Sequence, residues 1–231
     1  MRTTTHRIEF GFVNAFLLAS EKGFVLIDTG LPSHRKTLRS ALEGAGCRPG
    51  NLGLVVLTHV VLTHADIDHA GNAAWLRETY GAEVAVHALD APQLETGIAP
   101  PRTLRSRLGR LLTGLRDLVP RRAVTCPADL LLADGQDLGA WGLPAAKVIH
   151  LPGHNPGALG LLVEDGKGGG DFFAGDVLAN FRRPSTSPFI HDLAAYRASL
   201  GRLRGLLPEG ALVHPGHGQD FPASALKTIE L

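Results

Sequence analysis

The stretch His64-Ala65-Asp66-Ile67-Asp68-His69 places four side chains that can bind metal ions within six residues. It directly follows the run from Leu54 to Leu62, which is rich in Val and Leu and contains no Asp, Glu, Lys or Arg. Such a run predicts a buried strand, and the residues from Gly71 to Tyr80 predict the helix after it. The four side chains therefore lie at a strand-to-helix corner.

Side chains alternate along an extended segment, so His64, Asp66 and Asp68 point to one side of the chain. The turn into the helix can bring His69 to the same place. Two imidazoles and two carboxylates that converge in this way need a cation between them, because carboxylates repel one another and are costly to bury. The spacing predicts a metal site, and a solvated polar loop is the alternative.

Three later residues share this setting, since each follows a short apolar strand and lies beside Gly or Pro. They are His154, Asp176 and His217. Glycine at such corners lets the backbone approach an ion closely. The sequence thus offers seven candidate ligands, enough for two metal ions with positions left for water and substrate.

Three further motifs occur in order along the chain: Val13-Asn14-Ala15-Phe16-Leu17-Leu18, Leu26-Ile27-Asp28-Thr29-Gly30 and His214-Pro215-Gly216-His217-Gly218. Together with the stretch at 64–69 they resemble the motifs of the metallo-β-lactamase fold superfamily of metal-dependent hydrolases. The resemblance implies an α/β (α+β) fold. Its architecture would be a four-layer αββα sandwich of two mixed β-sheets with outer helices and the metal site at one edge.

The resemblance also implies roles for the candidate residues. Asp176 would bridge two metal ions, each held by a further set of three residues. The two sets are His64, Asp66 and His154, and Asp68, His69 and His217. Asp68 would also be catalytic by orienting the nucleophile. Asp28 would orient a ligand, and His214 could supply a supporting hydrogen bond.

The usual family pattern is His-x-His-x-Asp-His, and Asp66 stands where the second His is expected. A carboxylate adds a negative charge and a harder oxygen donor, which favours manganese or iron, while intrinsic affinity still favours zinc. We therefore expect two divalent metal ions (zinc, manganese or iron), with the best activity on a harder ion than zinc.

The pentapeptide Val-Val-Leu-Thr-His occurs twice in succession, at 55–59 and 60–64. Only the second copy has the family spacing to Asp66, so His64 rather than His59 is the predicted ligand. An insertion of five residues in a strand reverses the facing of everything beyond it unless a bulge absorbs the change. We expect a bulge or a strand-to-loop break between Leu57 and Leu62.

The remaining pattern alternates strands with helices. Strands are predicted as a pair around Ile8 to Ile27 and at Glu83–His87, Ala146–His150, Ala158–Val163, Asp171–Ala174 and Ala211–His214. Helices are predicted near Ser33–Ala45 and after Asp192, a good N-cap residue.

Apolar residues recur at helical spacing between Pro100 and Arg122, which predicts a basic helical insertion at about 100–122 in a single domain of residues 1–231. Its arginines could guide an anionic substrate, or form a solvated face or a dimer contact. They are Arg102, Arg105, Arg107, Arg110, Arg116, Arg121 and Arg122. The substrate pocket is expected beside Asp176, and its predicted wall residues are Phe181, Arg182, Arg183 and Phe189.

Composition limits the partners. The chain has 231 residues and a net charge of +1, which gives no global attraction to nucleic acid or an anionic membrane. No run approaches the roughly 20 apolar residues of a membrane span, and no signal-peptide pattern is present. Cys47 and Cys126 form no Cys-x-x-Cys pair. We expect a soluble, cytoplasmic protein with reduced thiols that acts on a small-molecule substrate and could form a homodimer.

The predicted function is hydrolysis by a metal-bridging hydroxide, because two cations lower the pKa of a bound water to roughly 7. Esters, thioesters, lactones and phosphodiesters all suit this chemistry. Two other classes stay open. A carboxylate in the second ligand position also occurs in the flavodiiron proteins, so a dinuclear iron redox centre is one alternative. A non-catalytic metal-binding module is the other.

Overall fold

The computed structural model describes residues 4–20, 23–49, 57–104 and 125–231. The strands are β1 (Thr4–Glu9), β2 (Asn14–Ser20), β3 (Gly23–Ile27), β4 (Leu57–Val61), β5 (Glu83–His87), β6 (Thr103–Leu104), β7 (Leu130–Leu132), β8 (Ala146–His150), β9 (Leu159–Glu164), β10 (Gly169–Asn180), β11 (Ser185–Thr186), β12 (Phe189–Ile190), β13 (Gly210–Gly218) and β14 (Phe221–Pro222). The α-helices are α1 (Arg35–Gly44), α2 (Ile67–Ala70), α3 (Ala73–Tyr80), α4 (Ala91–Thr96) and α5 (Leu193–Leu206). Single 3-10 turns lie at Pro32–His34, Gly139–Trp141 and Ala223–Thr228.

The strands form two mixed sheets. The first has the order β1-β2-β3-β4-β5-β7, antiparallel as far as β3 and parallel from β3 onward. The second has the order β14-β13-β10-β9-β8, with β11 also pairing with β10, and its β10 and β13 run parallel. Both sheets therefore mix the two pairing modes, as predicted.

Buried side chains fill three layers between these elements. One cluster lies between the first sheet and its helices, a second lies between the two sheets, and a third lies between the second sheet and α5. Strand β3 shows the cause: Phe24 and Leu26 join the helix-side cluster, whereas Val25 and Ile27 join the cluster between the sheets. A strand buried on both faces is apolar throughout. The four-layer αββα sandwich is confirmed.

The tandem repeat enters the sheet through a register irregularity. Phe24 pairs with Leu57 but the next residue, Val25, pairs with His59, so the β3–β4 ladder passes over one residue between them. The irregularity lies within the predicted segment from Leu57 to Leu62. Beyond it Val60 joins the helix-side cluster and Val61 the cluster between the sheets. The skipped residue thus allows the second copy of the repeat to present its side chains to both layers.

The helix predicted at Gly71–Tyr80 differs in the structure. Helix α2 begins earlier, at Ile67, and α3 begins at Ala73. Asn72 separates them because its side-chain Nδ2 donates to the carbonyl oxygens of Thr29 (2.8 Å) and Leu31 (2.7 Å). An Asn that bonds to a neighbouring loop interrupts the helical ladder.

The predicted basic helix is not helical where the structure describes it. Thr103–Leu104 forms β6, which pairs antiparallel with Phe189–Ile190 in β12. Pro100 and Pro101 precede it, and proline lacks the amide hydrogen that a helix interior requires. Residues 105–124 lie outside the described part of the chain, so the rest of that prediction is not covered.

Other predicted elements agree closely with the structure. Asp192 caps α5, and its Oδ1 accepts a hydrogen bond of 3.0 Å from the Ala195 amide. The predicted strand Asp171–Ala174 lies in the first half of the longer β10. Within the described residues, no helix combines the length and the apolar character needed to cross a membrane.

Candidate metal centre

The candidate ligands lie at one edge of the sandwich, where strands end. His64 and Asp66 follow β4, and Asp68 and His69 lie one turn further on, in α2. The other three lie after β8, within β10 and near the end of β13; they are His154, Asp176 and His217. The fold brings all seven side chains into one cluster.

The cluster contains two groups of three side chains. In the first, Asp66 Oδ2 lies 3.5 Å from the Nε2 atoms of both His64 and His154. In the second, His217 Nε2 lies 3.5 Å from Asp68 Oδ2 and 3.4 Å from His69 Nε2. These groupings are the ones that the family resemblance implied.

Asp176 lies between the groups and turns one oxygen toward each. Its Oδ1 is 3.1 Å from His69 Nε2 and 3.2 Å from His217 Nε2. Its Oδ2 is 3.6 Å from His154 Nε2 and 4.0 Å from His64 Nε2. A carboxylate with this orientation can donate one oxygen to each of two neighbouring cations.

Each imidazole presents Nε2 to the cluster because its Nδ1 is held by an oxygen outside. His154 Nδ1 donates to the Phe189 carbonyl oxygen at 3.0 Å, and His217 Nδ1 donates to the Phe12 carbonyl oxygen at 2.6 Å. A hydrogen bond at Nδ1 fixes the tautomer whose Nε2 carries a lone pair. Metal-binding histidines are typically oriented in this way.

Asp28 holds the other two imidazoles. Its Oδ2 accepts hydrogen bonds of 2.8 Å from His69 Nδ1 and from the Thr63 hydroxyl. The Thr63 oxygen in turn lies 3.1 Å from His64 Nδ1 and can accept its hydrogen. One buried carboxylate thereby orients a histidine in each group.

The donor spacing fits bound metal ions. Two ligands at about 2.1 Å from a tetrahedral ion lie about 3.4 Å apart. The nitrogen–oxygen distances within the cluster range from 3.1 to 4.0 Å. Within the described residues, His64 Nε2 is buried and has no hydrogen-bond partner. Since an unsatisfied buried nitrogen is costly, a cation at this position would remove a penalty.

In the cluster, burial and the neighbouring charges shift the pKa values of the side chains in opposite directions. Burial lowers the pKa of His69, but the carboxylates of Asp176 and Asp28 outweigh it and raise that pKa well above its usual value. Burial raises the pKa of Asp176, but His69 and His217 hold it well below the usual range. For His154 burial dominates and lowers the pKa. The Asp176 carboxylate is thus charged, and metal binding would displace a proton from the imidazole of His69.

Two residues missed by the sequence analysis join the loops of the site. Asp90 accepts hydrogen bonds from the Ala65 amide (3.1 Å), the Asn155 side chain (2.9 Å) and the Gly157 amide (2.6 Å). Gln93 donates to Ala65 O (3.0 Å). These contacts tie the loop after β4 to the loop after β8. Their positions at the start of α4 carry no sequence motif.

A cavity of about 440 Å³ opens onto the cluster. Two of the predicted wall residues, Phe181 and Phe189, line this cavity together with Phe12, Leu31 and Ile67. Arg182 and Arg183 were wrongly predicted as pocket residues. Both are exposed and absent from the cavity wall, because the chain bends directly after Phe181 and leaves their guanidinium groups in solvent.

His214 contacts none of the seven side chains through the interactions that the structure records. Its Nε2 is 2.9 Å from Asp171 Oδ1 and its Nδ1 is 3.2 Å from Asp220 Oδ1. The supporting hydrogen bond suggested for it is therefore not formed. His59 is also outside the cluster: its ring stacks on Trp141, with centroids 3.9 Å apart.

Comparison with known proteins gives the family. The sequence profile of the Metallo-beta-lactamase superfamily matches residues 8–217. The chain belongs to this superfamily.

The chain is similar to several curated proteins that are named as hydrolases. The probable metallo-hydrolase YflN of Bacillus subtilis is 29% identical over 220 residues, covering 84% of this chain and 75% of YflN. The hydroxyacylglutathione hydrolase GloC of Haemophilus influenzae is 30% identical over 159 residues, covering 68% of this chain and 62% of GloC. The chain spans 56% of the length of one curated relative that it matches and 88% of the length of another.

Among solved structures, TTHA1623 in a di-iron-bound form superposes with a TM-score of 0.64 at 28% identity. The match covers 96% of this chain and 96% of TTHA1623. Membership in the superfamily supports a hydrolase, and the His/Asp cluster is its candidate metal-binding site.

Proposed function

We propose that this protein is a hydrolase that uses two divalent metal ions to cleave a carboxylic ester, thioester or lactone. The observation that carries the proposal is the convergence of four imidazole Nε2 atoms and three carboxylates at the floor of the cavity. Divalent ions held there would act as Lewis acids and lower the pKa of a bound water to roughly 7. The three-residue groups would each hold one ion, and Asp176 would contact both.

Asp68 is the proposed catalytic residue. It lines the cavity, and its Oδ2 lies 3.5 Å from His217 Nε2. Its side chain is 24% exposed, in contrast to the fully buried His69 beside it. A carboxylate at the cavity surface can accept a proton from the attacking water and pass it to the leaving group.

The cavity wall favours an uncharged acyl substrate over a phosphodiester. The aromatic and aliphatic side chains named above form much of the wall. Among the described lining residues Arg102 is the only Lys or Arg, and its guanidinium is already paired with Asp66. Among the described residues of this wall, an anionic diester would find no unpaired Lys or Arg. GloC is named a hydroxyacylglutathione hydrolase, and an S-acylglutathione is a thioester, which supports including thioesters.

A dinuclear iron redox centre is the second candidate. TTHA1623 was solved in a di-iron-bound form, and the carboxylate of Asp66 provides a harder ligand than the imidazole of the usual pattern. Reductant-dependent oxygen consumption by the iron-loaded protein would favour this candidate over hydrolysis.

The test combines metal analysis with a substrate panel. Protein purified without chelator would be analysed by plasma mass spectrometry, stripped, and reconstituted with zinc, manganese or iron. Each form would be assayed on nitrophenyl acyl esters, an S-acylglutathione, lactones and a nitrophenyl phosphodiester. We expect about two ions per chain and metal-dependent turnover of at least one acyl substrate.

Asp68→Asn should lower kcat on that substrate by about 10²–10⁴-fold while the protein still unfolds cooperatively, because it removes a charged group at the cavity surface. Glu78→Gln is the matched control, since Glu78 is exposed on α3 and lies away from the cavity lining. Near-complete activity in Asp68→Asn would contradict the role of Asp68.

A further inference from the structure

Arg102 directly precedes β6, and its side chain reaches the candidate metal centre and binds one of the carboxylates there. Its side chain is only 7% exposed. Nη1 donates to Asp66 Oδ2 and Nη2 donates to Asp66 Oδ1, so the guanidinium binds both oxygens at once. Paired hydrogen bonds of this kind fix orientation as well as adding strength.

The two oxygens of Asp66 are used differently. Oδ1 accepts from Arg102 and also from Gln93 Nε2 at 2.8 Å. Oδ2 accepts from Arg102 and faces the Nε2 atoms of His64 and His154, each 3.5 Å away. Oδ1 is thus occupied by protein donors, while Oδ2 retains a lone pair directed at the space between the imidazoles.

The pairing also changes the charge of the site. The family pattern has a neutral imidazole at the position of Asp66, so the carboxylate adds one negative charge to the first group of ligands. The guanidinium of Arg102 is always positive and adds the opposite charge at the same place. The Asp66–Arg102 pair therefore has the net charge of the imidazole that it replaces.

The guanidinium reaches one side of the space between the ligands. Arg102 Nη1 forms a long hydrogen bond of 3.4 Å with His154 Nε2. On the other side, His64 Nε2 has no hydrogen-bond partner among the described residues. A cation facing His64, Asp66 Oδ2 and His154 would replace the hydrogen bond at His154 and satisfy His64, while Arg102 keeps its two hydrogen bonds to Asp66.

We propose that Arg102 is a positioning residue that holds Asp66 with Oδ2 toward a metal ion and offsets its charge, so that Asp66 and Arg102 together take the place of one neutral histidine ligand. This inference rests on the proposed metal-dependent function, but it concerns metal binding and not the bond that is cleaved. It implies that Asp66 and Arg102 are coupled, so that changing either one alone damages the site.

The test is a double-mutant cycle read out by metal binding. Wild type, Arg102→Gln, Asp66→His and Asp66→His/Arg102→Gln would be titrated with zinc and with manganese, and the bound ions counted after dialysis. Arg102→Gln should lower the affinity for one of the two ions by about 10–100-fold, which is the loss expected when a residue that orients a ligand is removed. Asp66→His should also lose affinity, because the buried guanidinium then lies unpaired beside two cations. The double variant should recover two ions and bind zinc in preference to manganese.

Arg102→Lys and Arg77→Gln are the controls. Lysine keeps the charge but not the paired hydrogen bonds, so Arg102→Lys should bind metal more tightly than Arg102→Gln and less tightly than wild type. Arg77 forms a similar two-nitrogen contact with Asp129, at 2.8 to 3.0 Å, on the exposed face of α3. Breaking that pair should leave metal binding unchanged.

Two results would overturn the proposal. Unchanged affinity for both ions in Arg102→Gln would show that Arg102 does not position Asp66. One ion in wild type and two in Arg102→Gln would show that the guanidinium occupies a metal position. Circular dichroism of each stripped variant would separate misfolding from lost affinity. If the metal affinities of the four proteins are as expected but the protein hydrolyses nothing in the substrate panel, only the proposed function is refuted.

Discussion

At the scale of single residues, Asp28 has the widest influence on the candidate centre. It adopts a positive φ of 59°, a conformation that Asp and Asn tolerate better than most side chains. In that position its carboxylate accepts three hydrogen bonds, two from Thr63 and one from His69. Its amide donates to the Val61 carbonyl oxygen at 2.9 Å. The residue therefore links the ends of β3 and β4 to both groups of candidate ligands.

Asp28→Asn should weaken metal binding by about 10–100-fold with little loss of secondary structure. Asparagine fits the backbone, but its side chain has one acceptor oxygen in place of two, so either His69 or Thr63 loses a hydrogen bond. Competition titration with a chromogenic chelator would measure the change. Asp192→Asn is the control, because Asn caps a helix as well as Asp does. Wild-type affinity in Asp28→Asn would contradict this role.

The sequence analysis found the candidate residues that belong to a motif of regular spacing. It missed the roles that depend on contact with residues distant in the sequence. His64 to His69 are close in the chain, and the remaining candidate ligands follow strands whose ends share one edge of the fold. Arg102 was grouped with a basic helix because its neighbours are arginines. Nothing in the local pattern indicates that its guanidinium pairs with Asp66, which lies 36 residues earlier. Such a contact depends on tertiary structure.

At the scale of elements, strand β13 carries His217 past the centre at close range. Gly216 precedes this histidine, and a Cβ atom there would lie 2.7 Å from His69 Cε1 and 2.9 Å from Asp176 Oδ1. Both distances are too short for van der Waals contact. The strand can approach the candidate ligands only because this position lacks a side chain.

Gly216→Ala should therefore reduce bound metal and hydrolytic activity together, although no candidate ligand is replaced. Gly201→Ala in the interior of α5 is the matched control, since a Cβ there meets no atom within 4 Å. Alanine in a helix interior is favoured over glycine by roughly 1 kcal/mol, so this control should be slightly more stable and equally active. Metal content and thermal unfolding of both variants provide the readout. Full metal occupancy in Gly216→Ala would count against the packing argument.

Element boundaries were predicted well where periodicity is strong and poorly where loop contacts decide. Strand β8 has the predicted bounds, and α5 begins directly after its predicted cap. The helix predicted at Gly71–Tyr80 instead became two, because Asn72 bonds to the loop after β3. Proline at 100 and 101 and pairing with β12 made a strand of Thr103–Leu104. The local sequence identifies neither the loop that Asn72 contacts nor the strand β12 that pairs with Thr103–Leu104.

At the scale of the whole molecule, His214 lies where the two sheets meet. Its ring packs against Phe16 of the first sheet and Phe173 of the second, with centroids 5.3 and 4.9 Å away. Burial lowers the pKa of His214, but hydrogen bonds to Asp171 and Asp220 outweigh it and raise the pKa to about 8. The two carboxylates thus stabilise the charged imidazole at the junction of the sheets.

This shift predicts a pH-dependent stability. Because the pKa in the folded protein exceeds the usual 6.5, the stabilisation is complete below about pH 6.5 and is lost as the pH rises through about 8. The difference corresponds to about 2 kcal/mol. His214→Gln should therefore lower the free energy of unfolding more at pH 6 than at pH 9, as measured in urea. His6→Gln, at an exposed position of β1, is the control for replacing a histidine by glutamine. An equal loss at both pH values for His214→Gln would refute the assignment.

The strands and helices could be predicted because their signals are repeated along the chain: apolar runs such as Val60 to Leu62 predict strands covered on both faces. The layered sandwich was predicted from the family resemblance that the ordered motifs carry. The order of the sheets and the extra partner of β10 depend on long-range pairing, which no single run encodes.

The division between the walls of the cavity and its floor has an evolutionary consequence. The candidate ligands stand at the ends of core strands and in the short helix after one of them, whereas Phe12 and Phe181 belong to connecting segments and are 46% and 64% exposed. Substitutions in such segments seldom cost much stability. Related proteins could therefore come to accept different substrates while keeping the same candidate metal ligands. In directed evolution, mutations confined to these two connections would be the shortest route to a new substrate.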